Sequence, residues 1–160
     1  DVGASTGGFT HVLLQGGVQK VYAVDVARFQ LADEVKSDRR VVNLENTDAR
    51  SLNNRIISDP VDLIVCDVSF ISVKKVLLPC IALSKTGGQL LCLFKPQFEV
   101  GPGKFKKTGV ITDVDLRIKL LRQMENWFLN LKDWKFKGSI QSSLPGREGN
   151  REFFILAEKI

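Results

Sequence analysis

Two residues with chemistry to offer close two apolar runs. Asp67 follows Asp62-Leu63-Ile64-Val65-Cys66, and Lys95 follows Gln89-Leu90-Leu91-Cys92-Leu93-Phe94. Such runs read as buried strands of a parallel sheet covered on both faces. Ligands of these sheets bind beyond the carboxyl ends of the strands, so both side chains would face one cleft. A lysine in that place is poorly explained by packing. Partial burial or a nearby cationic ligand disfavours its charged form, and a base role needs such a shift from about 10.4. A structural Asp67–Lys95 ion pair is the alternative. Glu152 opens the last apolar run, and Glu99 and Glu148 compete with it for a third acidic role.

A second constellation opens the chain. Asp1-Val2-Gly3-Ala4-Ser5-Thr6-Gly7-Gly8-Phe9-Thr10 joins an acidic residue to a glycine-rich turn, and a helical pattern follows at Val12-Leu13-Leu14. This suits a nucleotide-type cofactor: glycines let backbone approach the ligand, and the helix start supplies free N–H groups. The spacing departs from G-x-G-x-x-G, and no Gly-Lys-Ser/Thr follows. A nucleoside with a short charged tail is therefore favoured over a pyrophosphate. Asp25, with Val26 beside it, ends Val21-Tyr22-Ala23-Val24, where a carboxylate can accept both ribose hydroxyls. Asp48 suits either an adenine amino group or a plain surface turn.

A third feature is the loop of residues 95–107, which mixes Lys95, Lys104, Lys106 and Lys107 with Phe98 and Phe105. Lysines meet phosphates and phenylalanines stack on unpaired bases; a solvated loop with its aromatics tucked inward is the alternative. Arg147 and Arg151 extend the same basic rim. Net charge is +5, and it is uneven: residues 1–80 carry 9 basic and 10 acidic side chains, residues 81–160 carry 14 and 8. A basic half suits a polyanion such as nucleic acid.

The elements that must position these residues alternate. Strands are expected at 21–24, 41–44, 62–67 and 89–94, and helices at 28–36, 51–57 and 73–84, with Pro79 in a first turn. Residues 96–112 read as a long loop. Thr112 or Asp113 caps a helix whose apolar stripe is Leu116, Leu120, Met124, Trp127 and Leu131. Residues 134–140 and 152–157 read as an antiparallel pair. The sum is an α/β fold: a doubly wound, Rossmann-like sheet, mostly parallel, with one antiparallel strand near its edge. The strand that should lead into Asp1 belongs in the middle of that sheet, so the sequence starts inside a fold and another segment is expected to complete it.

Composition bounds the rest. The 160 residues fit one domain, and no apolar run reaches the roughly 18 residues that span a bilayer. The three cysteines lie in apolar contexts, which suits buried reduced thiols in a cytoplasm. With a single histidine, His11, a metal site is not expected.

Four segments carry a resemblance: residues 1–10, Cys66-Asp-Val-Ser-Phe-Ile-Ser72, Phe94-Lys-Pro-Gln-Phe-Glu-Val-Gly101 and Gly149-Asn-Arg-Glu152. In this order, over essentially the whole chain, they resemble the TlyA branch of the FtsJ-like RNA methyltransferases. The resemblance implies S-adenosyl-L-methionine as cofactor and ribose 2′-O-methylation of ribosomal RNA. It implies a lysine–aspartate–lysine–glutamate tetrad in which Asp67, Lys95 and Glu152 match the last three members. The first lysine would lie upstream of Asp1, as would a small RNA-binding module of the S4 type. Cofactor contacts are implied at Asp1, Gly3, Ala4, Ser5, Gly7, Gly8, Phe9, Asp25, Val26, Asp48 and Asp67. His11 stands where the family commonly has an aspartate. The whole of 1–160 would be one methyltransferase domain, incomplete at its N-terminus. Rival readings are a non-catalytic RNA-binding or ribosome-assembly factor on the same scaffold, a membrane-active hemolysin as the family is often labelled, and a nicotinamide-dependent oxidoreductase. The glycine spacing and the Asp67–Lys95 pair disfavour the last.

Overall fold

The computed structural model describes residues 1–101 and 109–160, the side chain of Arg147 excepted. Lys104, Lys106 and Lys107 of the basic loop lie outside the described residues. Among the described residues the strands are β1 Val21–Val24, β2 Val41–Leu44, β3 Val61–Cys66, β4 Ser84–Phe94, β5 Trp134–Gln141 and β6 Phe153–Lys159. The α-helices among the same residues are α1 Gly8–Gln15, α2 Asp33–Lys36, α3 Val73–Ala82 and α4 Val114–Leu129.

β1 runs parallel to β2, and β3 parallel to β4; β6 lies antiparallel between β4 and β5. The expected single antiparallel strand next to an edge is therefore present. Between β1 and β3 the lane belongs to Asp1 and Val2 alone. Val2 makes parallel bridges to both Val24 and Cys66, with its amide on the Val65 carbonyl at 2.9 Å. Below it, a slot of about 850 Å³ separates β1 from β3, lined by Val18, Leu52, Ile57, Leu63, Ile64 and Leu83 among others. Asp59 ties the two sides of the slot at its foot, accepting from Lys20 Nζ at 2.7 Å and Tyr22 OH at 2.6 Å.

Period-2 alternation sorts the strand side chains between two cores. Val21 and Ala23 pack with Ala4, Leu14, Leu31 and Val35, so α1 and α2 cover that face. Val24, Ile64, Cys66, Leu90, Cys92 and Ile155 point the other way, into a larger core with Leu77 of α3 and Met124 and Phe128 of α4. The other face of β3–β4–β6 is less covered than the apolar runs led us to expect. Leu63 is 38% exposed and Leu156 37%, and Leu91 and Leu93 are only half-buried. A continuous apolar run records burial of one face and contact on the other; it does not record whether a helix lies over both.

Three element expectations are corrected. The helix over 28–36 shrinks to Asp33–Lys36, because the Glu45 carboxylate accepts the amides of Gln30 at 2.6 Å and Leu31 at 3.0 Å. That tertiary contact replaces the intrahelical bonds the pattern promised. The helix over 51–57 is a 3₁₀ turn at Ala49–Ser51 capped by Asp48, followed by a turn. Pro79 sits inside α3, not in its first turn. The start of α3 is set instead by Glu99, whose carboxylate accepts from the Val73 amide and the Ser72 hydroxyl, both at 2.8 Å. Proline's missing donor leaves the Lys75 carbonyl without its helical partner, and Lys75 is on the exposed side, where water can serve it. The cap of α4 is Asp113, accepting from the Leu116 amide at 3.0 Å.

Candidate active site

The carboxyl ends of the strands converge as the sequence predicts. Gly3, at φ +82°, follows the bridge residue Val2, and a Cβ there would overlap the Asp67 carbonyl. Only glycine lets the turn come so close to the end of β3. Asp67 in turn donates its amide to the Val2 carbonyl at 2.9 Å. Turn and carboxylate are thus one rigid unit.

Lys95, at the end of β4, reaches sideways to the same place. Its Nζ lies 2.5 Å from Asp67 Oδ1 and donates to Ser69 Oγ at 3.2 Å. The lysine side chain is 14% exposed and the aspartate 32%. A cation this buried needs a partner, and Asp67 supplies it. Glu152 lies at the same end of the sheet. The antiparallel β4–β6 ladder ends with Phe94 opposite Phe153, and Lys95 and Glu152 are the residues that adjoin this last pair. Glu152 is buried and accepts from Gln97 Nε2 at 2.8 Å.

The rivals to Glu152 have other posts. Glu99 caps α3, as described above. Glu148 is exposed on a left-handed backbone, φ 63°, in a short 3₁₀ turn. Arg151 is exposed just ahead of β6. Arg147 belongs to the same 3₁₀ turn.

The glycine turn is mostly satisfied within itself. The amides of Gly3 and Ala4 both reach the Val24 carbonyl, Gly7 reaches Ala4, and Ser5 donates to Asp25 Oδ2 at 2.8 Å. What it offers outward is the start of α1. Gly7, at φ +99°, gives that helix no side-chain cap, and the amides of Gly8, Phe9 and Thr10 find no backbone partner among the described residues. A Cβ at Gly8 would meet nothing within 4 Å, so the first turn borders open space. Asp1 Oδ2 accepts from Thr10 Oγ1 at 2.6 Å, while Oδ1 is buried with no hydrogen-bond partner among the described residues. Open space, uncapped amides and an orphaned carboxylate oxygen suit a ligand carrying both a carboxylate and an ammonium group.

Asp25 sits beyond β1 and accepts the amides of Ser5 and Ala27, each at 2.8 Å. A carboxylate has about four lone-pair sites, so both oxygens keep acceptor capacity for ribose hydroxyls. Val26 and Phe29, both exposed apolar residues, follow it. Asp48 is less available: Arg50 engages both its oxygens, at 2.6 Å for the closest contact. His11 is exposed and bonded to Gln15 at 3.0 Å.

Sequence reasoning missed Ser69, Phe70, Gln97 and Gly146. Phe70 has the strongest structural signature. It holds a left-handed backbone, φ 65°, is 85% exposed, and its ring lies 4.9 Å from that of Phe98. A bulky residue in that region costs about 1–3 kcal/mol and is held there by its surroundings. No periodicity could reveal it, though its place within 66–72 between Asp67 and the Glu99-capped helix is visible in the motif.

Strand order, glycine turn and the Asp67–Lys95 ion pair at adjacent strand ends fit a Rossmann-like methyltransferase fold. The model of the FtsJ-like methyltransferase family matches residues 1–159, and the chain belongs to that family. It is 43% identical over 155 residues to the 16S/23S rRNA (cytidine-2'-O)-methyltransferase TlyA of Mycobacterium tuberculosis, covering 97% of this chain and 58% of that protein. It is 40% identical over 157 residues to Hemolysin A of Brachyspira hyodysenteriae, covering 96% of this chain and 64% of that one. A solved structure of a hemolysin-labelled protein from Streptococcus thermophilus superposes with a TM-score of 0.92 at 35% identity, covering 99% of this chain and 57% of the other. The chain thus spans about 58% of the first of these relatives. Among the described residues, no helix is long and apolar enough to cross a membrane.

Proposed function

We propose that the protein transfers a methyl group from S-adenosyl-L-methionine to a ribose 2′-hydroxyl of ribosomal RNA, in the cytoplasm. The observation that carries this reading is the Lys95–Asp67 pair, seated against the glycine turn, with Glu152 next to the end of the neighbouring strand. The relatives named for rRNA cytidine-2'-O-methylation support the substrate class.

The residues fit the cofactor. The amides of Gly8, Phe9 and Thr10 would hold its carboxylate, Asp1 Oδ1 its ammonium, Asp25 its ribose, and Val26 with Phe29 its base. When bound it supplies a methyl group already activated on a sulfonium. The protein then mainly supplies position and electrostatics. Lys95, as the free amine, takes the proton of the attacking 2′-hydroxyl and becomes the ammonium that Asp67 pairs, while Asp67 and Ser69 fix the direction of its Nζ. Glu152 orients from the opposite side. The exposed Phe70 ring, backed by Phe98, offers a stacking face for the base of the target nucleotide. Asp48 contributes through its Arg50-bound turn, and the basic residues Lys104, Lys106, Lys107, Arg147 and Arg151 meet phosphates.

Residues 1–160 act as one methyltransferase domain whose central lane accepts an extended segment ahead of Val2. The test of the function is a methylation assay on ribosomal subunits with labelled cofactor, paired with calorimetry. Wild-type protein labels rRNA. Lys95→Ala keeps cofactor affinity and loses roughly 100-fold or more in turnover. Undiminished turnover in that variant would remove Lys95 from the reaction.

A further inference from the structure

We propose that Gln97 and Gly146 form a clamp that positions the Glu152 carboxylate beside Lys95, and that this clamp serves the reaction. The inference rests on Glu152 belonging to the reactive group, and goes beyond it in assigning roles to two residues outside the tetrad. Glu152 is only 6% exposed and Gln97 5%, so the amide and carboxylate meet away from water, Nε2 to Oε1 at 2.8 Å. A buried carboxylate needs such a donor, and the amide fixes which oxygen faces inward.

Gly146 abuts the same carboxylate. A Cβ built on it would overlap Oε1 and Cδ of Glu152. Its backbone, φ −67° and ψ 176°, is one that any L-residue adopts. The absence of a side chain there is thus explained by the carboxylate it admits and not by backbone conformation. The turn carrying Gly146 is itself held: its amide donates to the Asn150 carbonyl at 2.8 Å, and the Ser142 amide donates to the Glu152 carbonyl at 2.9 Å. Gln97 lies two residues beyond Lys95 on a short 3₁₀ turn. One short turn therefore follows directly on the lysine and carries the amide that holds Glu152. Gln97 and Gly146 touch neither substrate nor cofactor in this reading; they act through Glu152 and are positioning residues.

The test is a kinetic double-mutant cycle on rRNA methylation, with Gln97→Leu, Gly146→Ala and Glu152→Gln alone and each clamp variant combined with Glu152→Gln. Circular dichroism and the dissociation constant for S-adenosylmethionine serve as fold controls. Each clamp variant is expected to lower kcat roughly tenfold or more, with the cofactor constant and KM for RNA changed less than about twofold. In the Glu152→Gln background each clamp substitution is expected to cost little further. Gly146→Ala keeps the test decisive if Gln97→Leu does not fold. Full additivity, or a loss confined to KM, overturns the clamp while leaving the methyltransferase reading intact. Absence of methyl transfer by wild-type protein overturns both, a pattern distinct from additivity.

Discussion

Lys95 carries the largest share of the account at the scale of single residues. It is a nearly buried cation held by Asp67 and Ser69, so its substitution should separate chemistry from binding. Phe70 tests a different point. Phe70→Asn replaces a strained aromatic with a residue that tolerates the left-handed region. We expect urea denaturation to place its stability within about 1 kcal/mol of wild type, because relief of strain offsets the lost contact with Phe98. The KM for RNA is expected to rise roughly tenfold, as a stacking face worth about 1–3 kcal/mol is lost. An unchanged KM would take Phe70 out of substrate recognition. Cysteines make a third residue-scale test. Burial pushes the Cys80 thiol up to about 12, and the hydrogen bond with Cys92, together with burial, pushes Cys66 well above its ordinary value. All three thiols are buried and free. A thiol-specific disulfide reagent at pH 8 should find none in the native protein and all three after denaturation; rapid native labelling would contradict this burial.

At the scale of elements, the loop between β1 and β2 shows where pattern and packing part company. Its sequence reads as helix, yet Glu45 draws the amides of Gln30 and Leu31 out of helical geometry. The Asn43 side chain and these two amides hold the Glu45 carboxyl down at about 2, from 4.5. A depressed carboxyl contributes stability that is present above about pH 4.5 and lost as pH falls toward 2. Asp38, held at about 2 by Arg40, acts in the same direction. The urea midpoint of wild type should therefore drop across that window, and Glu45→Gln should flatten the drop; an identical slope would mean Glu45 is not the group that titrates. The strand ends show what the sequence can reveal. Asp67, Lys95 and Asp25 were legible because a charged side chain at the end of an apolar run has few structural excuses. Gln97 and Gly146 were not, since their meaning lies in Glu152, which for Gln97 is 55 residues away. α3 begins at Val73, as the expected 73–84 span has it, yet Pro79 lies in its interior, where the lost donor falls to the exposed Lys75 carbonyl; and the cap of α3, Glu99, comes from another element. Local pattern locates strands and their ends; it cannot locate a cap or clamp supplied from elsewhere.

At the scale of the molecule, the slot of about 850 Å³ between β1 and β3 stands out. Its two strand edges run parallel, and Val2 already bridges both at the top. A single extended apolar segment leading into Asp1 would pair with each edge and bury Leu63. Buried apolar surface stabilises by about 25 cal/mol per Å². A version of the protein carrying such a segment should show a higher Tm and slower amide exchange in β1 and β3 than residues 1–160 alone. Equal Tm and exchange would mean that the slot is not a strand site. The uneven charge belongs to this scale as well, since the half of the chain that carries Lys95 is also the basic half.

The most direct test of the central claim is mapping of the methyl group. Ribosomal subunits treated with the protein and S-adenosylmethionine are digested and analysed by mass spectrometry at nucleoside resolution. The account predicts a 2′-O-methylated ribose in rRNA with wild-type protein, and none above background with Lys95→Ala that still binds cofactor. A methyl group on a base, or undiminished ribose methylation by the Lys95→Ala protein, would contradict it.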